Sequence, residues 1–140
     1  MILSHPDFWD DEALNEVIGY RGSRKQVSDN TDIASPWLNS MRNSINTQIF
    51  DFLAVSATHG SAHLALFDQA MWDKYDLAAV AGPKFETNTL ILSKPAPANF
   101  SDYENPNSVF GPIGDTIPAL QERGVVFLGC HNTTGSWRRI

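Results

Sequence analysis

The chain has a single cysteine, Cys130, among 140 residues. That count excludes an internal disulfide and any Cys-x-x-Cys redox or zinc motif, and leaves the redox compartment unread. Positive charge is also scarce. Ten lysines and arginines face sixteen acidic residues, for a formal net charge of -6, and no basic stripe appears. The expectation is therefore no nucleic-acid partner and no anionic membrane partner. No apolar run approaches the ~18 residues needed to cross a bilayer. Met1-Ile2-Leu3-Ser4-His5-Pro6-Asp7 lacks the basic region and apolar core of a signal peptide, and Arg138-Arg139 sits at the wrong end for twin-arginine export. A cytoplasmic protein, or an exported one written without its leader, is the expectation. Without an export signal, the sequons at Asn99 and Asn132 read as chance.

Several catalytic signatures are missing as well. There is no Gly-x-Ser-x-Gly elbow, no Gly-x-Gly-x-x-Gly and no Walker motif, and Gly111-Pro112-Ile113-Gly114 reads as a turn. No cofactor is expected. The 42% hydrophobic and 19% charged content fits one folded domain across residues 1–140, long enough to bury roughly two-thirds of its unfolded surface.

What is present is an α/β pattern. Phe8, Leu14, Val17 and Ile18 among acids predict a short helix over 7–18, ended by Gly19 and Gly22. Arg24-Lys25-Gln26-Val27 is an edge strand or a loop. Ser35 and Pro36 read as an N-cap and first helical residue, followed by Trp37, Leu38, Met41, Ile45 and Ile49 at helical spacing. Residues 51–58 predict a strand closed by His59-Gly60, and 61–75 one largely buried helix. A short helix over 77–81 stops at Gly82-Pro83. Six of the eight prolines then fall within 82–118, so a long irregular loop at about 82–114 is expected, with Thr89-Leu90-Ile91-Leu92 as a brief strand inside it. A helix over 115–123 leads into the Val125 strand. Strands alternating with helices imply a mainly parallel sheet, whose ligands sit outside the strands' carboxyl ends.

That rule singles out His59 at the end of one strand and Cys130 with His131 at the end of another. Asn132, Thr133 and Thr134 are N-cap types that could open a helix. A thiol between a strand end and a helix N-terminus favours its thiolate below the free value of about 8.5. Cys130 on an apolar strand also reads as an inert core residue. His59 is better placed than the adjacent His131 as its partner, because neighbouring side chains diverge. His59 and His63 are four apart, a metal spacing if both lie on one helix. Without a His-Glu-x-x-His pattern they read as a turn residue and a helix residue. A metal set of His59, His63, Cys130 and His131 is the alternative. The tryptophans read as packing or interface anchors.

Several segments occur together in the order of a known family. They are Ser40-Met41-Arg42-Asn43-Ser44-Ile45-Asn46, the strand running into His59-Gly60, Ala70-Met71-Trp72-Asp73-Lys74-Tyr75, and 119–133 with its Gly124-Val125-Val126-Phe127-Leu128-Gly129-Cys130-His131-Asn132-Thr133 core. Over about 24–133 the chain resembles the DsrE/DsrF-like superfamily, closest to the branch whose members often carry a twin-arginine leader. The resemblance implies a three-layer α/β sandwich that forms homo-oligomers, trimers or hexamers. It also implies sulfur relay, with Cys130 as the persulfide-carrying residue serving a sulfur donor or acceptor protein. His59 and His131 would assist catalysis, and Gly60, Asn132 and Thr133 would line the ligand. The family's next strand and closing helix have no counterpart after Thr133, implying a shortened version or a sheet completed by another subunit. Two other readings stand beside this one: a non-catalytic small-ligand or metal-binding protein at the same rim, and a structural assembly subunit with Cys130 buried.

Overall fold

The computed structural model describes residues 11–47, 51–92 and 111–130. Three strands form one all-parallel sheet in the order β1 (Arg24–Asn30), β2 (Phe52–Thr58), β3 (Val126–Gly129). Val27 pairs with Val55, and Val55 with Val126. The fold is thus mixed α/β. The segment at Arg24 is an edge strand, longer than the sequence suggested because it runs on to Asn30.

Both crossovers step the same way across the sheet. Right-handed connections therefore place their helices on one face. α2 (Trp37–Asn46) crosses from β1 to β2, and α5 (Ile117–Glu122) leads into β3. The two helices pack together, and the Trp37 and Phe127 rings meet edge to face at 6.1 Å. Met41, Ile45, Ala54, Leu64, Trp72, Leu77 and Leu120 belong to the core between these layers. Leu64 and Leu120 are completely buried, each contributing roughly 1.5–3 kcal/mol. α5 begins with Thr116, whose hydroxyl accepts from Ala119 N–H, and proline follows within the first turn. α2 starts at Trp37 with Pro36 itself at the cap position, one residue later than Ser35 suggested, and without a side-chain cap.

Two segments depart from the sequence reading. The single helix expected over 61–75 is a 3₁₀ turn, Gly60–Leu66, followed by α3 (Gln69–Tyr75). Phe67 and Asp68 between them are extended, and the Asp68 carboxylate accepts from Met71 N–H at 2.8 Å, opening a new helix. The 3₁₀ carbonyls are met from outside: Trp72 Nε1 donates to Leu64 O and Asn88 Nδ2 to Ala65 O. Thr89–Ile91 is a 3₁₀ turn rather than a strand, because Asn88 Oδ1 accepts from Leu90 N–H and curls the chain. α4 (Leu77–Ala81) follows expectation, ending at Gly82 with φ +100°.

On the opposite face of the sheet, Leu53 and Val126 line a groove shared with Glu12, Glu16 and Val17 of α1 (Asp11–Gly19). Asp51, at φ +55°, joins α1's exit to the sheet by accepting from Tyr20 Oη and Ser23 N–H. Those donors, the Ser23 N–H first, hold its carboxyl below the usual range. Among the described residues, no helix is long and apolar enough to cross a membrane.

Candidate functional site

Strand alternation sorts the site residues by face. Ala54 joins the core, and Asn30 Nδ2 donates to Ser56 Oγ beneath α2. The intervening residues Leu53, Val55, Ala57 and then His59 therefore lie on the other face, with Lys25, Val27 and Asp29 beside them. In β3, Phe127 and Gly129 face the helices, so Val126, Leu128 and then Cys130 share the face of His59.

The ladder continues past the strand ends. His59 N–H donates to Asn30 O at 2.9 Å, and Cys130 N–H to Thr58 O at 3.0 Å. Thr58 pairs with Gly129, so His59 and Cys130 are the next register neighbours, on strands about 4.8 Å apart. The rim foreseen from topology is therefore present, because β2 and β3 are adjacent. Cys130 is partly exposed.

Asp29 completes the rim and was missed in the sequence. Its carboxylate Oδ1 lies 2.5 Å from His59 Nε2. An ionised carboxylate only accepts, so the imidazole carries a proton on Nε2 in this contact. In the neutral ring, Nδ1 is then the acceptor nitrogen. The available signal was the strand's true length: extending Arg24–Val27 by three residues sets Asp29 beside Ala57, two before His59.

Gly60 turns the chain directly after His59. Its φ is +58°, and an added Cβ would meet the Thr31 carbonyl oxygen at 2.4 Å. Ser61 Oγ accepts from Ile33 N–H at 3.1 Å, and Ala62 N–H donates to Thr31 O at 3.3 Å. The loops following β1 and β2 are thereby tied together. Beneath the rim, Asn30, Ser56 and Thr58 form a buried side-chain chain, with both oxygen contacts at 2.7 Å. These polar groups are satisfied, so they stiffen the strand ends that carry the site.

His63 is placed apart from His59. It is buried on the helix face, with Nδ1 3.5 Å from Thr58 O, its ring edge-on to Phe67, and its Cε1 close to where a Gly129 Cβ would stand. Burial lowers its pKa, and the Thr58 carbonyl opposes that shift. His59 and His63 thus lie on opposite faces of the sheet. His131, Asn132 and Thr133 lie outside the described residues, as does the helix expected to open there. Among the described residues, no group of three or more His, Cys, Asp or Glu is arranged to hold a metal ion.

No family model, curated protein or solved structure matches the chain.

Proposed function

We propose that the protein is a DsrE/DsrF-like sulfur carrier in which Cys130 holds a persulfide. The observation that supports this reading is the rim itself. A partly exposed thiol is the register neighbour of an imidazole whose other nitrogen is engaged by Asp29. His59 Nδ1 accepts the thiol proton, leaving a thiolate as the nucleophile. The Cys130 thiolate attacks the outer sulfur of a donor persulfide, R–S–S–H. A new S–S bond forms, the donor S–S bond breaks, and R–S⁻ leaves with the electron pair. An acceptor thiolate then removes the outer sulfur by the same exchange. No external oxidant or reductant enters either step.

The finer architecture belongs to the same proposal. α1 beside Leu53 and Val126 supports a three-layer arrangement with the sheet in the middle. The described sheet has only three strands, which supports homo-oligomeric assembly. Intact-protein mass spectrometry after incubation with a low-molecular-weight persulfide tests the chemistry. The expected result is a gain of one sulfur atom that disappears in Cys130→Ala. No adduct at Cys130 would overturn the reading.

A further inference from the structure

We propose that β1 pairs antiparallel with β1 of a second copy of the chain, across a two-fold axis centred on Val27. The backbone orientation comes first. Asn30 O accepts from His59 N–H on the β2 side. In a parallel pair, alternate residues direct their N–H and C=O to one neighbour, so even-numbered residues of β1 serve β2. Lys25, Val27 and Asp29 therefore direct theirs to the outer edge. Among the described residues no strand pairs with that edge. Val27 is 69% exposed, and Lys25 and Asp29 are exposed beside it.

The sequence along this edge is complementary to itself. With Val27 opposite its own equivalent, Lys25 falls opposite Asp29 of the partner subunit, and Asp29 opposite the partner's Lys25. In this register the three outward-facing residues form hydrogen-bonded pairs, each exchanging N–H···O in both directions. Their side chains emerge on one face, as an apolar pair flanked by two opposite-charge pairs. A slip of two residues sets Val27 against a charge and separates the ion pairs, so a single register is favoured. A lysine on an edge strand ordinarily discourages pairing. Here Asp29 at the mirror position makes the same lysine specific for a second copy.

The interface reaches the rim, because Asp29 is also the residue against His59. The Asp29 side chain is 72% exposed, which leaves it open to the partner's Lys25. The proposal itself stands on the β1 edge and is independent of the Cys130 chemistry.

Gel filtration with light scattering on the full chain at micromolar concentration tests it. The wild type is expected as an assembly with an even number of subunits. Val27→Pro removes an outward N–H without costing a bond to β2, and is expected to halve the mass with the circular dichroism spectrum unchanged. Lys25→Asp sets like charges opposite at both ends and is expected to weaken the association about ten-fold or more. The double variant Lys25→Asp/Asp29→Lys restores it. A monomeric wild type, or an assembly whose mass neither Val27→Pro nor Lys25→Asp changes, overturns the proposal.

Discussion

At the residue scale, the rim depends on two contacts that a single substitution can remove. His59 has one ring nitrogen at Asp29, and in the proposed chemistry the other takes the proton of the neighbouring thiol. His59→Ala is therefore expected to slow alkylation of Cys130 by iodoacetamide at pH 7 by about ten-fold or more, because a thiol without an activating base is only a few per cent thiolate at that pH. An unchanged rate would show that the imidazole does not act on the thiol. Gly60 controls the same geometry from the backbone. At φ +58°, and with Thr31 O 2.4 Å from an added Cβ, Gly60→Ala must move the loop that follows His59. The expected loss is about 1–3 kcal/mol of stability in urea unfolding, with a slower Cys130 reaction in the same protein. A variant as stable and as reactive as the wild type would contradict the close approach.

At the element scale, the sequence was most legible where one periodicity ran without interruption. Trp37, Leu38, Met41 and Ile45 announced α2, and the apolar run 52–58 announced β2, because burial on one face or both decides those patterns. The stretch from Gly60 to Tyr75 misled because its apolar spacing continues through Phe67 and Asp68. The break there is made by a cap, and periodicity does not register caps. Thr89–Ile91 misled for the opposite reason. Its β-branched and apolar residues suit a strand, but their conformation is set by Asn88, which is 1% exposed and bonded to Ala65 O, Phe67 O and Leu90 N–H. Only the tertiary fold brings those partners together. Asn88→Ala leaves two carbonyls short of a donor and is expected to cost about 2–3 kcal/mol. Urea unfolding monitored by tryptophan fluorescence measures this, and a cost under about 0.5 kcal/mol would mean other donors replace the amide.

At the scale of the whole molecule, the sheet divides two chemistries. The rim of Asp29, His59 and Cys130 lies on one face, and buried His63 lies on the other, against Phe67 and Gly129. Topology made the carboxyl-end rim legible from the sequence. The separation of the two histidines was not legible, because it depends on where a 3₁₀ turn sets the side chain four residues on. That separation yields a pH dependence. Burial lowers the His63 pKa below its ordinary 6.5, so the folded protein binds this proton less readily than the unfolded chain does. His63 therefore leaves stability unaffected well above pH 6.5. As pH falls below 6.5, the unfolded chain takes up the proton first and stability declines. The decline ends below the lowered folded value, where both states are protonated. Thermal unfolding of the wild type between pH 7.5 and 5 should show a falling midpoint. In His63→Gln, which keeps a polar side chain near Thr58 O but has no proton to bind, the slope over that range should be shallower. An equal slope in the two proteins would assign the pH dependence to other groups and remove His63 from the balance.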